Sequence, residues 1–348
     1  MTDLTLAALG WSEEFQSQPD AGELEVTPPA RLCDVHRDRV QALTPDGEIT
    51  LTLPGDMQAG DLAVGDWVLF DPAEQRVTRA LERRSILRRR AAGTVLMHQL
   101  IAANVDTLMI VTSCNADFNP ARLERYLTLA ASSDTKPLIV LTKADLVDNG
   151  ADYLARAEAL SPHVSAITLD ARDPAALERL LPWLRPGATV ALVGSSGVGK
   201  STILNGLTGE TSETQGNRKG DSKGRHTTTA RSLRPTRSGA WLIDTPGMRS
   251  LGMSDSGDGI DRVFSDLTEL ATQCKFSDCA HKSEPGCAIQ AAIKAGEVDA
   301  DRFRRWEKLL AEDRFNSETP SEARARKRGF TKKVRSSVQG KRGRQEQG

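Results

Sequence analysis

The sequence predicts a multidomain α/β protein: a small N-terminal β-barrel, a central phosphate-loop domain on a mostly parallel sheet, and a mostly helical C-terminal domain. Three observations carry this. Between Ala30 and Arg90, short alternating runs are broken by Pro-Asp-Gly-Glu, Pro-Gly-Asp and Val-Gly-Asp turns, with little room for helix. From Asn104 onward, apolar runs of strand length alternate with amphipathic stretches, and one such run enters a glycine-rich loop. Past Asp255 the chain reads as helical and is interrupted by a cluster of cysteines. A length of 348 residues fits two or three domains rather than one core.

In chain order, residues 1–28 read as a polar lead-in with one weak amphipathic stretch at 4–15. The barrel, 29–92, draws strands from 39–43, 49–53 and 67–70; the pattern suits an OB-like or an SH3-like barrel. In the α/β region, 93–252, residues 105–111 and 138–141 read as buried parallel strands, and 120–132, 151–160 and 174–184 as amphipathic helices. Residues 189–193 form the strand before the glycine-rich loop, and Trp241 to Asp244 supplies a further strand end. A helical domain at 253–316 and a basic tail at 317–348 complete the chain, which has no internal repeat.

No apolar run is long enough to span a bilayer, and residues 1–20 lack a basic region before an apolar stretch, so a cytoplasmic protein without a membrane partner is expected. Ten Lys/Arg against two Glu make 321–348 +8; a chain of net charge −1 therefore carries −9 on the remainder. A basic tail on an acidic body fits a polyanionic partner, nucleic acid first, and equally a solvated tail. Arg83, Arg84 and Arg88 to Arg90 cluster at the barrel's end, where they can grip RNA phosphates or form a solvated face. Cys33 and Cys114 read as packing residues.

Gly194-Ser195-Ser196-Gly197-Val198-Gly199-Lys200-Ser201 fits G-x-x-x-x-G-K-[ST] within a loop from Gly194 to Thr202, with a strand before it and Ile203-Leu204-Asn205 continuing a helix. Backbone N–H groups of such a loop, together with a helix N-terminus, cradle phosphates. Lys200 then reaches the β- and γ-phosphates, and the Ser201 hydroxyl ligates Mg²⁺. Some forty residues on, Asp244-Thr245-Pro246-Gly247 ends a strand; Asp244 can hold Mg²⁺ through water and the Gly247 amide can meet a γ-phosphate. Between them, 215–231 is polar, with Thr227, Thr228 and Thr229 offering hydroxyls for Mg²⁺ and the γ-phosphate, as in a nucleotide-ordered switch loop.

The base must be read elsewhere. GTPases read guanine with Asn-Lys-x-Asp at a strand end, normally C-terminal to the phosphate loop, and no such sequence lies there. Upstream, the run 138–141 ends in Thr142-Lys143-Ala144-Asp145, the same pattern with Thr for Asn. Here the sequence resembles the circularly permuted GTPases, and within them the ribosome small subunit-dependent GTPase A family. The resemblance extends over nearly the whole chain: the barrel, the permuted order, Gly224-Arg225-His226-Thr227-Thr228-Thr229 and the cysteine cluster. It implies GTP hydrolysis with Mg²⁺, slow alone and stimulated by the small ribosomal subunit, during late maturation of that subunit and in contact with its rRNA. A monomer is expected.

Two departures stand out. Thr142 in place of Asn removes an amide contact, which predicts weaker guanine binding, and the family's Ser-Ala-Lys-like loop falls at Asp170-Ala171-Arg172, where Ala171 alone matches. Met248 follows Gly247 where Ras-type GTPases carry a water-positioning Gln, so His226 is the candidate for that task, with an exposed loop histidine as the alternative. Cys274-x4-Cys279-x-His281-x5-Cys287 supplies three thiolates and an imidazole, a closed tetrahedral set for structural Zn²⁺, and the resemblance assigns Zn²⁺ to these four residues. An ATPase or kinase is opposed by the 142–145 motif, and an inactive RNA-binding module by intact Lys200, Ser201 and Asp244.

Overall fold

A computed structural model describes residues 4–90, 98–162, 164–209, 232–245 and 256–317. After two short helices, α1 (Glu13–Gln16) and α2 (Ala21–Val26), come strands β1 (Pro29–Val35), β2 (Arg39–Thr44), β3 (Gly47–Thr52), β4 (Trp67–Asp71) and β5 (Arg76–Ala80). They close a barrel in the order β1-β2-β3-β5-β4, with β4 returning antiparallel to β1 and β3 meeting β5 in parallel. That order is the OB-type Greek key, which decides between the two barrels the alternation allowed. Its interior is Ala30, Leu32, Val40, Ala42, Leu51, Val68 and Val77, the inward members of each alternating run.

The segment before the barrel, expected as a polar lead-in with a weak amphipathic stretch, packs onto the folded body. Leu9 and Phe15 are fully buried, and Trp11 stands edge-on to Trp67 at 4.8 Å between ring centroids. Buried Arg31 of β1 donates through Nη1 to Leu9 O and through Nη2 to Thr189 Oγ1, both at 2.5 Å. Burial pulls that guanidinium down to about 10. The indole of Trp241 donates to Ala8 O at 2.8 Å, so the strap ties the barrel to the central sheet.

Beyond the barrel, β6 (Ile86–Arg90) and β7 (His98–Ala103) pair antiparallel; the expected 92/93 boundary falls between these partners. Arg83 is paired within the protein. Its Nε and Nη2 bond the fully buried Asp66 at 2.6 and 2.7 Å. Arg84 lies over the Phe15 ring and faces Asp106 at 3.4 Å, whereas Arg88 is exposed.

The central sheet uses β8 (Thr107–Ser113), helix α3 (Pro120–Ser132), β9 (Lys136–Thr142), α4 (Gly150–Glu158), β10 (Ser165–Thr168), α5 (Pro174–Glu178), β11 (Thr189–Gly194), α6 (Lys200–Thr208), β12 (Leu233–Pro235) and β13 (Trp241–Asp244). Its order is β10-β9-β8-β11-β13-β12, parallel except for β12. Buried strands alternate between two cores: Leu108, Ile110 and Ile139 face α3 and α4, while Met109, Val111 and Val140 face α5 and α6. Asn119 caps α3 through Arg122 N and Pro120 opens its first turn, which is why that helix begins where the sequence places it.

The last helices are α7 (Gly257–Val263), α8 (Ser265–Thr272), α9 (Ala288–Ala295) and α10 (Ala300–Ser317). α7 lies so close on α3 that a Cβ on Gly259 would fall 2.1 Å from Ser132 Oγ. Glu124 of α3, fully buried, accepts from Arg305 Nε at 2.7 Å and from Arg302 Nη1 at 3.5 Å; Arg125 forks onto Glu312 at 2.8 and 2.6 Å. One continuous apolar core joins the strap, part of the barrel, one face of the sheet and these helices. Among the described residues no helix is long and apolar enough to cross a membrane.

Candidate functional site

All parallel strands of the central sheet end on one edge, which carries Thr142, Thr168, Gly194 and Asp244. From β8 the chain winds outward through β9 to β10, then returns to lay β11 on the other side of β8. The strand ends diverge there, leaving the crevice in which open α/β sheets bind ligands. The glycine-rich loop springs from β11 at this point.

The loop's shape follows from its residues. Gly194 sits at φ +141°, and a Cβ there would fall 2.1 Å from Val111 O on the neighbouring strand, so only glycine fits. Val198, 1% exposed, anchors the far side of the loop in the core with Ile203 and Leu204. Ser196, Gly197 and Ser201 remain exposed, and α6 begins at Lys200 with its unpaired N–H groups toward the loop. Lys200 Nζ reaches back over the loop to Gly194 O at 2.8 Å and to Ser195 O. The Tyr126 hydroxyl of α3 is hydrogen-bonded by the Gly194 backbone, a buried contact that the sequence did not announce.

Thr142 and Lys143 bind this loop from the side. Thr142, fully buried at the end of β9, places Oγ1 2.6 Å from Val198 O and 3.1 Å from Thr112 O. One hydroxyl proton serves two carbonyls, with the shorter contact to the loop. The Thr142 hydroxyl is thus engaged with the phosphate loop. Lys143 adopts the left-handed region at φ 59°, ψ 28°, and its Nζ donates to Gly197 O at 2.8 Å. Ala144 and Asp145 follow in a single 3₁₀ turn, Ala144–Leu146, that holds the Asp145 carboxylate on the sheet edge.

Ala171 lies in the connection after β10, and its side chain is buried with Leu169 and Leu177. The neighbour that reaches the carboxylate is Arg172, whose Nη2 donates to Asp145 Oδ2 at 2.6 Å. Asp170 holds the same guanidinium through Nε and Nη2, both at 3.1 Å. These bonds keep the Asp170 carboxyl below its ordinary value and Arg172 above its own.

On the other flank, Asp244 pairs in register with Leu192, two residues short of Gly194. Burial raises its pKa, opposed by the positive charges of Lys200 and Arg234. The next hydroxyl, Thr245, is buried and donates to Leu192 O at 2.5 Å, pinning the strand end. His226, Thr228 and Gly247, like Met248, lie outside the described residues.

A second centre lies between α8 and α9. One ligand atom from each of Cys274, Cys279, His281 and Cys287 falls within 4.8 Å of every other, so the four could hold one metal ion. Cys274 Sγ is 3.5 Å from His281 Nδ1 and 3.9 Å from Cys287 Sγ; Cys287 Sγ is 3.6 Å from His281 Nδ1. Cys287 caps α9 and receives the Gln290 N–H at 3.5 Å, while Gln290 Nε2 donates to His281 O at 2.7 Å. The imidazole packs against Phe303 and Trp306 of α10. Cys33 and Cys114, by contrast, are single and buried, and burial pushes the Cys33 thiol up to about 12.

A phosphate loop on a doubly wound sheet, braced by a Thr-Lys-Ala-Asp strand end that precedes it in the chain, defines the class of P-loop nucleotide-binding proteins in circularly permuted order. The RsgA GTPase family profile matches residues 80–254. A small ribosomal subunit biogenesis GTPase RsgA of Mesorhizobium japonicum is 51% identical over 327 residues, 93% of this chain and 94% of that protein. RsgA 2 of Vibrio parahaemolyticus is 42% identical over 346 residues, 99% of this chain and 96% of that protein. The chain belongs to the RsgA GTPase family. Solved structures share the fold: YjeQ of Thermotoga maritima at TM-score 0.60 and 24% identity, over 82% of this chain and 98% of that one. YloQ, described as a circularly permuted GTPase, superposes at TM-score 0.58 and 22% identity, over 84% of this chain and 97% of that one.

Proposed function

We propose that this chain hydrolyses GTP to GDP and phosphate and serves in the maturation of the small ribosomal subunit, as the names of its relatives indicate for those proteins. The observation that carries the nucleotide reading is the bracing of the loop by Thr142 on Val198 O and Lys143 on Gly197 O. It sets a base-reading carboxylate, Asp145, and a phosphate cradle at fixed spacing although they come from the reversed ends of the domain.

Gly194 to Thr202 wrap the phosphates through backbone N–H groups and the α6 N-terminus. Lys200 leaves the carbonyl oxygens of Gly194 and Ser195 for the β- and γ-phosphates, exchanging neutral acceptors for charged ones. Asp145 accepts from guanine N1–H and N2–H, and the backbone at Ala171 lies beside the base. Ser201, Thr228 and Asp244 are the residues for Mg²⁺, which when bound with GTP neutralises charge developing between the phosphates. The Asp244 environment fits: a half-buried carboxylate beside Lys200, without a direct ion pair of its own among the described residues. Gly247 N–H meets the γ-phosphate, and His226 orients the attacking water.

The Cys274, Cys279, His281 and Cys287 set fits Zn²⁺. Tetrahedral Zn–S and Zn–N bonds require about 3.8 Å between two sulfurs and about 3.5 Å between sulfur and nitrogen. The observed 3.9, 3.5 and 3.6 Å among Cys274, His281 and Cys287 match that geometry, and the Cys279 sulfur lies within 4.8 Å of each. With four protein ligands no position stays open, so the ion's role is structural. The barrel and the basic tail are assigned to rRNA, and the protein to the cytoplasm as a monomer.

Phosphate release should be measured with GTP and ATP, with and without purified small subunits. Hydrolysis specific to GTP and accelerated by the subunit is expected, and Asp145→Asn should transfer the preference to xanthosine triphosphate. Equal use of ATP, or a rate indifferent to the subunit, would overturn the assignment.

A further inference from the structure

We propose that Arg172 is an internal competitor of guanine: its guanidinium tip donates to the carboxylate that reads the base, and nucleotide must displace it. This rests on the GTP reading above and adds a specificity-controlling residue to it. Guanine presents N1–H and N2–H from one carbon, which makes its recognition edge a guanidine. An arginine side chain ends in the same group, with the added advantage of positive charge.

The geometry commits Arg172 to this role. One Nη2 hydrogen goes to Asp145 Oδ2 at 2.6 Å and the other to Asp170 Oδ2 at 3.1 Å. Nε donates to Asp170 Oδ1 at 3.1 Å, and the Arg172 backbone N–H donates to the same oxygen at 2.9 Å. Asp170 therefore tethers both the main chain and the side chain of Arg172, and Asp145 holds only its tip. When guanine takes Asp145, the tip is released while Nε stays on Asp170, so the arginine remains at the rim and can return as the base departs. The Asp145 side chain is 27% exposed and that of Arg172 is 67% exposed, which keeps the latch weak and readily opened.

A latch that must open before binding lowers the apparent affinity by the fraction of open sites and acts on association, not on dissociation. Removing it should raise the association rate about 2–5-fold with the dissociation rate unchanged. The gain should be equal for GDP and GTP, because the contest is at the base. That equality separates the latch from simple charge: deleting a cation slows capture of polyphosphates, and more so for the triphosphate.

Stopped-flow fluorescence with mant-GDP and mant-GTP on the full chain tests this, comparing wild type, Arg172→Ala and Arg172→Lys. Arg172→Ala is expected to bind both nucleotides about 2–5-fold faster, and Arg172→Lys, a point charge without the paired N–H groups, to fall between. Unchanged or slower association in Arg172→Ala, or faster dissociation, overturns the proposal; faster dissociation would make Arg172 a cap on the bound base. A wild type that binds neither nucleotide overturns the GTP reading and this inference with it.

Discussion

Arg305 Nε donates at 2.7 Å to a carboxylate oxygen of Glu124, and that carboxylate is fully buried between α3 of the nucleotide sheet and α10 of the C-terminal helices. Two residues along α3, Tyr126 touches the phosphate loop at Gly194. One helix thus bears on both the loop and the last domain. Glu124→Ala should leave Arg305 and Arg302 without their buried partner and destabilise the protein by about 3–5 kcal/mol. Thermal unfolding and limited proteolysis check this: the melting temperature should fall and α10 should become cleavable. An unchanged melting temperature would remove Glu124 from the interface.

Thr142→Val tests the brace. The substitution keeps shape and deprives Val198 O and Thr112 O of their shared donor in a dry site. A loss of about 1–3 kcal/mol in stability is expected. GDP and GTP should weaken together, because the loop is displaced rather than the γ-phosphate contacts. Calorimetric titration showing full affinity in Thr142→Val would mean that Lys143 alone sets the loop.

Cys279→Ala should abolish zinc retention, read by elemental analysis of the purified protein, and loosen α8 to α10. GTP binding should persist, since no ligand of the cluster lies in the nucleotide crevice. Acidification of the wild type should release the ion as thiolates and imidazole take up protons, so metal content should fall with pH. A wild type purified without zinc would refute the metal assignment.

His226→Ala should bind GTP nearly as wild type does yet lose about 10²–10⁴-fold in subunit-stimulated turnover, the range for removing a positioned acid–base group. Lys200→Ala should damage both, because that lysine contacts phosphate in the ground state as well. Full stimulated turnover in His226→Ala would assign the water to backbone groups or to the ribosome.

Deleting 321–348 removes a segment of charge +8 and should weaken subunit binding while flattening its dependence on salt, since fewer counterions are released. Identical salt slopes for the full and shortened chains would exclude the tail from RNA contact. Arg88→Ala is the companion substitution in the barrel region, because Arg83 is held by Asp66.

Elements whose signals are local could be read from the sequence. Trp241–Asp244 and Pro120–Ser132 fall where the apolar run and the Asn-Pro start place them. The phosphate loop, the Thr142 to Asp145 turn and the cysteine set were equally legible, since each is a short motif with fixed spacing. β10 was missed: Ser165–Thr168 is an edge strand with no fully buried residue. The amphipathic stretch 4–15 does not reveal where the strap docks, because Leu9 and Phe15 owe their burial to partners far along the chain. Arg172 escaped notice for the same reason, since its contact with Asp145 spans 27 residues and no pattern in either stretch encodes the meeting. Thr142 was read by what it lacks relative to Asn, whereas its hydroxyl is used.

The strap also dictates an order of events at birth. Ala8 receives its bond from Trp241, 233 residues further along, and Leu9 from an Arg31 that in turn needs Thr189. At about 5–20 residues per second of synthesis, Ala8 waits about 10–50 s for that indole to be made. The Ala8 carbonyl meanwhile lacks the Trp241 indole, whereas Trp11 and Phe15 meet Trp67 as soon as the barrel closes. The aromatic end of the strap can settle on the barrel early, while the bond from Trp241 to Ala8 closes only once β13 has been made. That one bond is a late contact even though Ala8 is among the earliest residues to be translated.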